Sequence, residues 1–73
     1  MGRLAGISGA RAVAAFRRAG YEVARQKGTH VVLRQSGKPH LVIPMHRSIA
    51  PFLLRSQIRR AGLTEEDFEQ LLH

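Results

Sequence analysis

Apolar residues in the first third of the chain recur with the period of a helix. Ala12, Phe16 and Ala19 are spaced by three or four residues and form one stripe. Ser8 is suited to cap the start of this helix, and Gly20 is suited to end it in the left-handed conformation. The pattern predicts an amphipathic first helix that runs to Ala19 and keeps its arginines outside.

After Gly20 the apolar residues alternate with polar ones, which is typical of strands. Residues 27–28 separate the first run from the second, and residues 36–39 separate the second from the third. Strands joined by such short turns pair antiparallel, because a parallel pair needs a crossover of a dozen or more residues. Alternation gives each predicted strand an apolar face, formed in turn by Tyr21 and Val23, Val31 and Leu33, and Leu41 and Ile43.

The helical period returns in the last third of the chain. Pro51 is favoured at the first position of a helix, and the apolar residues that follow it recur every three or four positions, as on one face of a helix. That face consists of Leu54, Ile58 and Ala61, and Gly62 supplies the stop. A second helix is therefore predicted from Pro51 to the residue before Gly62.

A short C-terminal helix is predicted beyond that stop. Thr64 can cap its start, and Phe68, Leu71 and Leu72 form its apolar stripe. The acidic residues of its first turn have two interpretations from sequence. They complement the helix dipole, or they dock the protein to a partner.

These elements predict an α+β fold with the order α-β-β-β-α and a short C-terminal helix. The economical arrangement is a three-stranded antiparallel sheet with the helices on one face and the other face open. With 73 residues, the whole chain, residues 1–73, is expected to form a single domain. A domain of this size buries only about 60% of the surface that its unfolded chain exposes, so its function is expected on a surface.

The net charge points to a polyanion as the partner. The chain carries 12 lysines and arginines against 5 acids, for a formal net charge of +7. All the cations lie within residues 1–63, where Glu22 is the one acid, whereas residues 64–73 hold the other acids and no cation. Phosphate backbones bind such a surface by releasing their counterions. Nucleic acid is therefore favoured as the partner over an acidic protein or an anionic membrane.

Other features of the composition exclude whole classes of function. The chain has no cysteine, which excludes a disulfide framework, a zinc knuckle and a thiol nucleophile. No stretch approaches the ~18 apolar residues of a membrane-spanning helix. We therefore expect a cytoplasmic protein without a membrane partner.

Three segments carry recognisable motifs. Residues 20–30 read GYEVARQKGTH, residues 41–46 read LVIPMH, and residues 49–63 read IAPFLLRSQIRRAGL. The first is similar to the pattern GF-x-x-x-R-x-K/R-G-S/T-H of HicA-type toxins, small ribonucleases of prokaryotic toxin–antitoxin pairs. The second resembles the third strand of that family with its P-x-H exit, and the third resembles its second helix. The resemblance covers about residues 7–72 and implies a fold similar to a double-stranded-RNA-binding domain.

The resemblance implies that the protein is a metal-independent endoribonuclease that acts on mRNA, with His30 as its catalytic histidine and no cofactor. Imidazole suits this chemistry because its pKa lies near neutral pH, so it can remove the proton of a ribose 2′-OH that attacks the adjacent phosphorus. The resemblance also implies a HicB-like antitoxin partner that covers the active face. The excess positive charge predicts that the covering surface of the antitoxin is acidic.

The residues predicted to bind RNA lie around His30 or on and just before the second helix. Alternation along the second strand places His30 on the face of Arg34, opposite Leu33. Arg55 and Arg59 are four residues apart and share a helix face. The full set predicted to bind RNA is Lys27, Gly28, Thr29, Arg34, His46, Arg47, Arg55 and Arg59.

Each of these interpretations has a competing one. Without its motif, His30 reads as an exposed polar residue that starts a strand, and the second-helix arginines read as a solvated face. A metal site shared by His30, His40 and His46 is disfavoured, because the three come from separate segments and no paired carboxylate is nearby in sequence. The rival functions are a non-catalytic RNA-binding module of the same fold and a structural protein whose basic face docks on an acidic partner.

Overall fold

The computed structural model describes residues 4–73, which form three helices and a three-stranded sheet. The predicted single domain spans residues 1–73, of which residues 1–3 lie outside the described part. The element order α-β-β-β-α-α confirms the predicted α+β class and is consistent with a fold like that of a double-stranded-RNA-binding domain. The elements are α1 (Gly9–Arg18), β1 (Glu22–Lys27), β2 (His30–Arg34), β3 (Leu41–Pro44), α2 (Pro51–Arg60) and α3 (Glu65–Leu71).

Side chains at both ends specify α1. Ser8 Oγ accepts a hydrogen bond from Arg11 N at 3.1 Å, as expected for an N-cap. At the other end Gly20 has a φ of +105°, and Tyr21 N donates to the Phe16 carbonyl at 3.1 Å. This is the Schellman arrangement, and the Tyr21 ring also packs edge-on against Phe16 with centroids 6.1 Å apart. The predicted stop is therefore confirmed, and it directs the chain into β1.

The later helices use the predicted signals in the same way. Gly62 has a φ of +77° after α2, and Leu63 N donates to the Ile58 carbonyl at 3.1 Å. Thr64 and Asp67 form a reciprocal capping box at the start of α3. Within residues 4–73, no helix combines the length and the apolar character that a membrane crossing requires.

The sheet has β2 at its centre, with β1 and β3 paired antiparallel on either side. Val31 and Leu33 of β2 are buried beneath the helices, opposite Ile43 and Leu41 of β3. His30 starts β2 on the other face and is exposed. The helices therefore cover one face of the sheet and leave the other open, as predicted.

The two edges of the sheet are covered differently. At the β3 edge, Gln57 Oε1 of α2 accepts a hydrogen bond from Val42 N at 3.1 Å, and Arg60 Nη2 donates to the His40 carbonyl at 3.0 Å. Helix α2 thereby satisfies backbone groups of this edge. All residues of β1, at the opposite edge, are exposed. Val23 pairs with the buried Leu33 but is itself 46% exposed, because α1 and α2 pack mainly against β3.

The core lies between the inner face of the sheet and the helices. Phe16 of α1 and Phe68 of α3 are fully buried, and their ring centroids are 4.9 Å apart. Arg18 Nη1 also donates to the Leu71 carbonyl at 2.6 Å. The short C-terminal helix is therefore an integral part of the core.

Candidate active site and nucleic-acid interface

A two-residue turn, Gly28-Thr29, connects β1 to β2 and has His30 at its exit. Gly28 has a φ of +60°, whereas Thr29 has no positive φ, which is the pattern of a type II′ hairpin turn with glycine at its first position. Lys27 and His30 flank the turn as direct cross-strand partners. Gln26 Nε2 also donates to the Gly28 carbonyl at 3.2 Å. The local sequence thus holds the His30 backbone at the mouth of a tight turn.

The exit of β3 is tied both to this turn and to α1. Met45 N donates to the Thr29 carbonyl at 2.6 Å, and Gly9 N donates to the His46 carbonyl at 2.9 Å. Helix α1 approaches so closely that a Cβ at Gly9 would collide with the Pro44 carbonyl and lie 2.6 Å from Met45 Cα. Glycine permits this approach. The start of α1, the exit of β3 and the His30 turn therefore form one connected unit.

The side chain of His30 lies on the open face of the sheet. Its Cα partners are Lys27 on β1 and Pro44 on β3, and the next residue, Val31, points into the core. Alternation alone places His30 opposite Val31 and Leu33, and the structure shows that the His30 face is the one away from the helices. In the part of the chain that the structure describes, the imidazole makes no hydrogen bond. Both ring nitrogens are thus available to a ligand.

A β-bulge in β1 changes which side chains reach this open face. The register shifts between Val23 and Arg25, so Ala24 is the extra residue. Val23 pairs with the inward-facing Leu33, whereas Arg25 pairs with Val32 on the open face. Uninterrupted alternation would have placed Arg25 on the same face as Val23.

Arg25 is therefore a candidate site residue that the periodicity argument missed. Its partner Val32 lies two residues from His30 on β2, which makes Arg25 and His30 diagonal neighbours. Diagonal neighbours have Cα atoms about 7–8 Å apart, within reach of long side chains. Lys27 follows on the same face. The sequence signal that could have identified Arg25 is its place as the arginine of the motif in GYEVARQKGTH. Alternation alone assigns this residue to the wrong face.

Arg34 lies on the same face as His30 but at the opposite end of the sheet. The two residues are four positions apart on β2, a distance of ~13 Å at ~3.3 Å per residue. Arg34 pairs with Glu22 across the strands and lines a cleft together with Lys38 and His40. The structure therefore does not bring Arg34 to His30.

The other histidines fall into two places. His46 is exposed two residues beyond Pro44, at the His30 end of the sheet, and Arg47 is exposed in the loop that follows. His40 precedes β3 at the far end. Among residues 4–73, no group of three or more His, Cys, Asp or Glu side chains is placed to hold a metal ion.

The predicted arginine pair of α2 lies elsewhere. Arg55 and Arg59 line a small cleft between α2 and α3, on the helical side of the molecule. Arg55 Nε hydrogen-bonds to Glu65 Oε2 at 2.7 Å, with both side chains about half exposed. This ion pair gives one acid of α3 an intramolecular role. RNA binding by these arginines stays a prediction, and the structure does not join them to the residues around His30.

A comparison with known protein families identifies the family of the chain. A family model described as HicA toxin of bacterial toxin-antitoxin matches residues 9–63. The matched range includes α1, the whole sheet, the His30 turn and α2. No curated protein matches the chain. Because the family model covers well over half of its length, the chain belongs to the HicA toxin family of bacterial toxin–antitoxin systems.

Proposed function

We propose that this protein is a toxin that cleaves mRNA with His30 as the general base. Toxins of the HicA family are mRNA interferases. The observation that carries the proposal is the position of His30, which is exposed at the exit of a fixed turn on the open, basic face of the sheet. An imidazole in that position can reach the backbone of an RNA strand laid across the face.

The proposed reaction uses the 2′-OH of the RNA itself as the nucleophile. His30 takes the proton of this hydroxyl, and O2′ forms a bond to the adjacent phosphorus while the bond from phosphorus to the O5′ of the next nucleotide breaks. The leaving O5′ takes a proton from His46 or from water. The products are a 2′,3′-cyclic phosphate and a 5′-hydroxyl. Imidazole and fixed cations supply the base and the charge stabilisation, so the proposed reaction proceeds without a metal ion.

The cations beside His30 would stabilise the negative charge that develops on the phosphorus. Lys27 is its direct cross-strand partner and Arg25 its diagonal neighbour, both on the open face. The turn leaves room for a phosphate, because nothing lies within 4 Å of a Cβ built on Gly28. The backbone of Gly28 and Thr29 would thus border the bound phosphate.

Replacement of Arg25 by alanine is expected to lower the rate of RNA cleavage by about tenfold or more, because one fixed cation beside the developing charge is lost. Single-turnover cleavage of a short RNA measures the effect. R25K should recover part of the rate by restoring the charge without the guanidinium geometry. The matched control is R17A, which removes an equal charge from the exposed surface of α1. Equal rates for R25A and R17A would show that Arg25 has no special role.

The proposed reaction is tested by comparing RNA with DNA of the same sequence in the presence of EDTA. We expect cleavage of the RNA and an intact DNA, because only RNA carries the 2′-OH nucleophile. Cleavage that stops when EDTA is added would overturn the metal-independent mechanism. Cleavage of both polymers would overturn the role of the 2′-OH.

One observation favours the non-catalytic alternative, an RNA-binding module of the same fold. Catalytic bases are commonly oriented by a further group, and within residues 4–73 no such hydrogen bond reaches the His30 ring. A pure binding module would retain RNA affinity that falls with added salt but would leave the RNA intact under all conditions. Cleavage by the wild-type protein therefore separates the two functions.

Membership in a toxin–antitoxin family implies an antitoxin partner, and we propose a HicB-like protein in that role. The open face carries Arg25, Lys27 and His30, so the surface that covers it is expected to be acidic. Such a complex would block the access of RNA to His30. Because mRNA is the proposed substrate, we place the protein in the cytoplasm.

A further inference from the structure

A second concave surface lies at the far end of the sheet from His30. It is a cleft of about 440 Å³ where the turn between β2 and β3 meets the start of β1. The residues that define its chemistry are Glu22, Arg34, Gln35, Lys38 and His40. Its volume falls in the range of about 300–1,000 Å³ that is common for small-molecule sites.

The walls of this cleft are held by contacts to the helices. Gln35 Nε2 donates to the Ala19 carbonyl at 3.3 Å, and Lys38 Nζ donates to the Ala61 carbonyl at 3.1 Å. The Tyr21 hydroxyl donates to the Pro39 carbonyl at 3.3 Å. Burial raises the pKa of this hydroxyl, although the Arg60 charge acts in the opposite direction, so the phenol keeps the proton that it donates. The turn is therefore preformed.

The cleft presents both hydrogen-bond donors and acceptors to a ligand. Arg34, Lys38 and His40 supply donors, and Lys38 keeps two ammonium hydrogens beyond the one given to Ala61. Glu22 pairs with Arg34 in the strand register, yet these two described residues form no ion pair with each other. Gln35 Oε1 is buried and has no hydrogen-bond partner. The donors suit a phosphate, and the exposed Glu22 carboxylate suits the amino group of a nucleobase.

Arg34 connects the cleft to the proposed active site, because it belongs both to the cleft and to the strand that begins at His30. We propose that the cleft is a nucleotide-binding subsite, which holds a nucleotide of the same RNA strand a short distance from the cleaved linkage. The cations bind its phosphate, and the Glu22 carboxylate contacts its base. This inference rests on the proposed RNA substrate and adds a place where RNA sequence is read.

The test measures binding of 2′-O-methyl RNA, which lacks the nucleophile and is not cleaved. A hexanucleotide is long enough to reach both His30 and the cleft, which lie ~13 Å apart along β2. K38M is expected to weaken hexanucleotide binding about tenfold through loss of a charge-assisted contact. K38R should restore binding. H40A should act in the same direction as K38M, which gives a second variant if Lys38 proves necessary for folding.

The matched control is R17A, which removes an exposed cation from α1 outside the cleft and should preserve hexanucleotide affinity within about twofold. Unchanged hexanucleotide binding by both K38M and H40A would overturn the subsite. Affinity for free AMP equal to that for the hexanucleotide would assign the cleft to unlinked nucleotides and would also overturn it. If the wild-type protein cleaves no RNA, the proposed function fails, but the binding comparison still decides whether the subsite exists.

Discussion

Replacement of His30 by alanine is expected to reduce RNA cleavage by about 10²–10⁴-fold, the usual contribution of a positioned general base. The side chain is exposed and makes no hydrogen bond within residues 4–73, so its removal should leave the fold intact. The cations Arg25 and Lys27 stay in place, so RNA affinity should change little. Cleavage of a labelled RNA and binding of its 2′-O-methyl analogue, measured side by side, separate the two effects.

The control for this variant is H73A, which removes an exposed histidine at the C-terminus. We expect its cleavage rate to equal that of the wild-type protein. The catalytic role of His30 is wrong if H30A and H73A cleave RNA equally well. A parallel loss of RNA affinity in H30A would instead make His30 a binding residue.

Replacement of Phe68 by alanine is expected to destabilise the domain by about 3–5 kcal/mol, as is usual for a buried phenylalanine. Phe68 is fully buried and packs against Phe16 of α1 with the two rings tilted by 45° and their centroids 4.9 Å apart. The loss is close to the whole stability of a domain this small, ~3–5 kcal/mol, so the variant should be largely unfolded. Urea unfolding followed by far-UV circular dichroism measures the change.

The matched control is F52A. Phe52 is 74% exposed, so its removal should change the free energy of unfolding by no more than about 0.5 kcal/mol. The comparison also shows whether α3 belongs to the folding unit, because Phe68 lies beyond the matched residues 9–63. Similar stabilities for F68A and F52A would mean that α3 only rests on the surface of the domain.

The elements of the fold could be predicted because their signals are local. Gly20 and Gly62 end two helices by the same left-handed conformation, and Thr64 caps the third. Each of these residues acts on backbone groups within a few positions along the chain. Alternation also places His30 on the face opposite Val31 and Leu33, but only the structure shows that this face is the open one.

What the sequence did not reveal depends on long-range packing or on an irregular backbone. The bulge at Ala24 moves Arg25 to the face of His30, and a strict period of two places it on the other face. The separation of Arg34 from His30 follows from strand length, although both share a face. The contact of Arg55 with Glu65 joins α2 to α3 and depends on how the two helices pack.

The chemistry of the ends of cleaved RNA tests the central claim most directly. Wild-type protein is incubated with a short RNA in EDTA, and the fragments are analysed by mass spectrometry. If the His30 imidazole activates the 2′-OH, the upstream fragment carries a 2′,3′-cyclic phosphate and the downstream fragment a 5′-hydroxyl. Fragments with a 3′-hydroxyl and a 5′-phosphate would show that water attacked the phosphorus instead, which would contradict the mechanism.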